Sequence, residues 1–135
     1  MTKLDEIATL IQELGYKALV TDDLISTSMS GWNVGVFPYN DDSIQMYLGF
    51  TIGAEDNFDF SQANEFNKVN RYSKCYVTDN TAAFEQDFFF DVSKPTAKND
   101  LERIFATWEG IIGLAREALD KSTQERNEQT SPSAE

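Results

Sequence analysis

FSQANEFNKVNRYSKCYV, Phe60 to Val77, is a short asparagine-lined helix pattern that runs directly into a strand pattern. Asp59 or Ser61 caps a helix predicted to reach about Arg71, and Tyr72 to Thr78 then alternates as a strand that ends at the turn pair Asp79-Asn80. Asn64, Asn67 and Asn70 recur at every third position, a spacing that drifts by only about 60° per step on a helix. They form a stripe beside Ala63, Phe66 and Val69. Amides there either satisfy backbone groups of nearby strand ends, as buried polar groups require, or form a polar recognition site with Arg71.

Upstream, Leu4, Ile7, Ala8, Ile11 and Leu14 recur at helical spacing, with Thr2 as a cap and Gly15 suited to the left-handed turn after the helix. The period then changes to two. Leu24 to Met29 reads as a first strand, Ser30-Gly31 as a turn, and Trp32 to Tyr39 as a second strand. After Asn40-Asp41-Asp42, Ser43 to Ile52 is a third, with Ile44, Met46, Leu48, Phe50 and Ile52 on one face. Short connections between these runs imply antiparallel neighbours.

Downstream of the quoted stretch, Phe84 to Val92 carries Phe84, Phe88 and Phe90 on one face and Glu85, Asp87, Phe89 and Asp91 on the other. A long helix follows from about Ala97 to Lys121, its apolar stripe containing Leu101, Ile104, Phe105, Trp108, Ile111, Ile112, Ala115 and Leu119. Gly110 and Gly113 weaken that helix, which suggests close approach of another backbone. Ser122 to Glu135 has almost nothing apolar and is expected to be a disordered tail. The fold class is therefore α+β: residues 1–121 form one antiparallel sheet of about five strands with helices packed on it, in the order α-β-β-β-α-β-β-α.

The totals narrow the function. Eleven basic residues against 23 acidic ones give a net charge of −12 over 135 residues. Such a field repels phosphate backbones and anionic lipids, so neither nucleic acid nor a membrane surface is expected as a partner. A protein with a basic patch would be steered inward instead. The chain has no histidine and one cysteine, which removes most nucleophile and base pairs that operate at neutral pH. Cys75 has no second cysteine to join, pointing to a reducing, cytoplasmic setting. The N-terminal stretch lacks a signal-peptide pattern, and no run approaches the roughly 20 apolar residues of a membrane span.

Three segments carry a family resemblance: NEFNKVNRYSKCYV at Asn64 to Val77, FEQDFFFDV at Phe84 to Val92, and DLERIFATWEGIIGLAREAL at Asp100 to Leu119. With the order of elements they resemble the YbjN family of bacterial proteins, whose members look like type III secretion chaperones in fold. The sharpest part is the Asn-aromatic-Asn helix followed by an arginine and a strand, matched by Asn64, Phe66, Asn67 and Arg71. The resemblance covers roughly residues 2 to 120. It implies a cytoplasmic α+β domain, often dimeric, that acts as a sensory transduction regulator or chaperone-like adaptor without a known enzymatic activity or cofactor.

Candidate site residues follow from the alternation. If helices cover the face bearing Trp32, Val34, Leu48 and Phe88, then Phe37, Tyr39, Tyr47, Tyr76 and Phe89 share the opposite one. Aromatic enrichment of that kind is typical of interface cores, and it predicts a homodimer or client surface unless the chain's own helices cover it. Asp22-Asp23, Asp41-Asp42 and Asp56 with Asp59 lack the spacing of a calcium loop and read as solvated turns; no metal is expected. The expected function is a non-enzymatic protein-binding module. Its alternative is a sensor domain that takes a small ligand near the asparagine helix.

Overall fold

The computed structural model describes residues 2–53 and 58–130, with side chains through Ser122. Three helices and six strands follow one another as α1 (Lys3–Glu13), β1 (Leu19–Thr21), β2 (Leu24–Met29), β3 (Trp32–Tyr39), β4 (Ser43–Thr51), α2 (Phe60–Val69), β5 (Lys74–Thr78), β6 (Thr81–Phe89) and α3 (Ala97–Thr130). The strands form a single antiparallel sheet in the order β1-β2-β3-β4-β6-β5. The expected five strands become six, because Leu19–Thr21 folds back on β2 around Asp22-Asp23, pairing Val20 with Ile25. Three residues are too few to show an alternation, which is why the pattern conceals this strand.

Turn chemistry sets the registers. Ser30 and Gly31 both have positive φ, 52° and 82°, the signature of a two-residue hairpin whose twist matches its strands, and Met29 pairs with Trp32 across it. Asn40 and Asp79 adopt the same left-handed conformation at the β3–β4 and β5–β6 turns. Between β4 and β6, Phe90 N–H donates to Asp42 O at 2.9 Å and Ile52 N–H to Asn80 O at 2.6 Å, which fixes an antiparallel pairing with Ser43 beside Phe89. β6 begins at Thr81 instead of the expected Phe84: Ala82 and Ala83, weak strand formers, enter the ladder directly from the tight turn.

The chain divides into two compact units, Met1–Leu48 with Glu85–Ile112 and Gly49–Phe84 with Gly113–Glu135. In the first, the inward residues Ile25, Met29, Val34, Val36, Ile44 and Met46 are buried with Ile7 and Ile11 of α1 and Leu101, Phe105 and Trp108 of α3. The Thr2 hydroxyl accepts from Asp5 N–H at 3.1 Å while Asp5 accepts from Thr2 N–H, a reciprocal cap that starts α1. Gly15 ends it at φ 98°. Tyr16 then stacks edge-on to Phe105 with ring centroids 4.9 Å apart and donates to Glu109 Oε1 at 2.7 Å, tying the end of α1 to α3. Burial and the Glu109 carboxylate push the Tyr16 phenol up to about 12.

The second unit is built on Phe84, fully buried, with Phe50, Phe58 and Phe66 tilted or edge-on around it at 4.9–6.1 Å. Asp59 caps α2 by accepting from Ser61 N–H at 2.8 Å, and Gln62 accepts in return from Asp59 N–H. The helix stops at Val69 because Asn70 leaves helical space at φ −113° and ψ 123°, two residues before the expected end. α3 continues to Thr130, past the end expected near Lys121; Gln124, Glu125, Arg126, Glu128 and Gln129 in the added stretch are good helix formers. Residues 131–135 of the expected tail, and Asp56, lie outside the described residues. Neither Gly110 nor Gly113 meets a neighbour; a Cβ at either would find nothing within 4 Å. The expected close backbone approach is absent.

Candidate functional site

Four of the five predicted aromatic residues lie on the outward face of the first unit. Tyr39 pairs with Ser43, and Ser43 lies beside Phe89, so two rings on β3 and β6 flank one small side chain on β4. Phe89 is 90% exposed and Tyr39 48%. The next row holds Phe37 opposite Gln45, and Gln45 Nε2 donates to Asp87 Oδ1 at 3.1 Å. Phe37 and Tyr47 are half-buried and meet edge-on at 6.1 Å. The Phe37 ring lies over Gly35, where a Cβ would stand 2.9 Å from Phe37 Cε2; a bare glycine on a strand is thereby covered by a neighbouring aromatic. These two rings serve the sheet, whereas Tyr39 and Phe89 present themselves to solvent. Tyr76 belongs to the second unit, where it is exposed on β5.

The asparagine stripe resolves into separate roles. Asn67 Nδ2 donates to Cys75 O at 2.8 Å and Asn67 Oδ1 accepts from Cys75 N–H at 2.7 Å. One carboxamide therefore satisfies both backbone groups of one β5 residue, as an adjacent strand would. Asn70 Nδ2 donates to Phe66 O at 3.0 Å and closes the last turn of α2. Asn64 and Arg71 are exposed. Cys75 is buried beneath this arrangement, and burial pushes its thiol up to about 12, far from the thiolate a redox site needs. Among the described residues no group of three or more histidines, cysteines or carboxylates is placed to hold a metal ion. No helix among them is long and apolar enough to cross a membrane.

A feature the alternation did not disclose lies in the second unit. α2 and the second half of α3 enclose a groove of about 290 Å³. Phe58, Phe66 and Ala118 contribute its apolar lining, Val69 and Leu114 its exposed lips, and Glu65, Glu117 and Lys121 its charges; of the three asparagines only Asn70 lines it. A signal was present. Phe60, Ala63, Phe66 and Val69 recur at strict three-residue spacing, so they sweep half the circumference of α2, more than a short helix can bury against one sheet. Phe60 and Val69, at the two ends of the sweep, are accordingly exposed, as is Tyr72 just beyond.

A family model for YbjN, described as "Putative bacterial sensory transduction regulator", matches residues 3–121. Among solved structures the chain is similar to E. coli YbjN, described as "a putative transcription regulator", with a TM-score of 0.56 and 10% identity, covering 95% of this chain and 93% of that one. It is also similar to the Yersinia pestis type III secretion chaperone SycH, solved in complex with a stable fragment of YscM2, with a TM-score of 0.55 and 14% identity over 85% of this chain and 98% of that chain. No curated protein sequence matches. At these identities the structural likenesses establish the fold, which is that of a type III secretion chaperone. With a family model spanning nearly all of the described residues, and the same architecture in a solved member, the chain belongs to the YbjN family.

Proposed function

We propose that this chain is a non-enzymatic protein-binding module, a chaperone-like or regulatory adaptor of the bacterial cytoplasm, whose partner docks on the outward sheet face of its first unit. The observation that carries the reading is the Tyr39–Ser43–Phe89 row: two large rings, one of them 90% exposed, on β3 and β6 with only the small Ser43 of β4 between them. Burying both would contribute on the order of 3–6 kcal/mol before ordering costs are subtracted, enough to anchor an interface. Gln45 and Asp87 supply a polar rim beside them. The chain's net charge of −12 favours a partner whose contact patch is basic. SycH, which shares the fold, was solved holding a protein fragment, and that supports a protein as the ligand class here.

The test uses Tyr39→Ser and Phe89→Ser, separately and together, because neither ring packs on the core. Both variants should keep the circular dichroism spectrum and melting temperature of the wild type. Affinity capture from native lysate should lose its specific partner with the double variant, and light scattering reports whether a second copy of the chain is that partner. A strict monomer whose solubility and captured proteins are unchanged by the double substitution removes the proposal.

A further inference from the structure

We infer that the groove between α2 and α3 in the second unit is a separate docking site for a cationic amphipathic peptide helix. Its shape calls for apolar anchors: Phe58 and Phe66 lie at the bottom, and Val69 and Leu114, 68% and 38% exposed, form lips with no cover of their own. Among the described residues the buried polar side-chain atoms without partners, on Thr27, Ser73, Gln86 and Trp108, all lie outside the groove, so none of them waits in it to orient a small polar metabolite. A volume of about 290 Å³ matches a few aliphatic side chains inserted from one helix face at i, i+3, i+4 and i+7.

Charge selects the occupant's sign. Glu65 on α2 and Glu117 on α3 stand on opposite walls, and among the described residues neither forms an ion pair. Two carboxylates against the single ammonium of Lys121 beside an apolar furrow, in a chain of net charge −12, favour lysine or arginine flanking the anchors. Lys121, one turn beyond Glu117, marks the end that a basic flank avoids. This site is distinct from the Tyr39–Phe89 row and draws on none of its residues.

The probe is a synthetic helical peptide with leucines at i, i+3, i+4 and i+7 and flanking lysines, compared with its glutamate-flanked counterpart by fluorescence anisotropy on the full chain. The lysine peptide should bind, and the glutamate peptide at least tenfold more weakly. Leu114→Ser and Val69→Ser should each weaken the lysine peptide by about tenfold, the usual effect of losing an anchor. Glu65→Lys/Glu117→Lys should reverse the preference between the peptides, whereas the same change of net charge at Asp23→Lys/Glu102→Lys should not. Phe89→Ser should leave peptide binding intact, which separates this inference from the proposed function. Equal binding of both peptides, or equal effects of the two charge reversals, overturns it. So does a wild-type dimer that Val69→Ser or Leu114→Ser converts to monomer without affecting the peptide.

Discussion

At the scale of single residues, the most instructive side chain is Asn67. Its carboxamide makes two hydrogen bonds to Cys75, one as donor and one as acceptor, and alanine would leave both backbone groups partly buried and unpaired. Asn67→Ala should cost about 2–3 kcal/mol in urea unfolding. Asn67→Asp should be as harmful at neutral pH, since a carboxylate still accepts from the amide but faces the Cys75 carbonyl, and should recover in part under acid conditions; a variant as stable as wild type would show the clamp to be incidental. Tyr16 makes a pH prediction. Its phenol is raised from 10.0 to about 12 by burial first and Glu109 second, so folding favours the neutral ring. That contribution is fully present below pH 10 and is lost as the pH climbs toward about 12. The stability difference between wild type and Tyr16→Phe should therefore be constant up to about pH 10 and shrink above it; a flat difference throughout refutes the linkage.

At the scale of elements, the two helical glycines offer the cleanest measurement. Gly110 and Gly113 sit on exposed positions of α3 with open space where a side chain would go. Gly110→Ala and Gly113→Ala should each stabilise by about 0.5–1 kcal/mol, raising the melting temperature by a few degrees, because alanine restricts the unfolded chain without meeting a neighbour. A loss of stability at either would restore a packing role. The same elements show how much the sequence discloses. Alternation placed Tyr39 and Phe89 outward because a strand's faces are fixed by parity, and the cap was legible as either Asp59 or Ser61, of which the structure uses Asp59, because few side chains can accept from the first turn of a helix. Parity is silent on what happens within a face. It did not show Phe37 lying over Gly35 and against Tyr47, which depends on the rotamer one ring takes within its face, nor the α2–α3 groove, which depends on which neighbours meet across distant segments. β1 escaped for a different reason, having too few residues to display a period.

At the scale of the whole molecule, charge governs behaviour. A net charge of −12 on 135 residues repels itself in the folded state, and salt shortens the screening length from about 30 Å at 0.01 M to about 3 Å at 1 M. Added sodium chloride should therefore raise the melting temperature while weakening capture of a basic partner, two trends of opposite sign from one cause. A melting temperature that falls with salt would mean that attractive surface pairs outweigh the repulsion. The sheet as a whole also has two borders, β1 and β5, and they are finished differently. β1 is only three residues long, while the open side of β5 has both groups of Cys75 occupied by Asn67. A passing strand from another molecule finds no continuous row of vacant amides at which to seed a fibril. One asparagine thus guards an acidic, aromatic-rich protein against templated growth, and amyloid dye uptake by Asn67→Ala on prolonged agitation, absent in wild type, would be the mark of its loss.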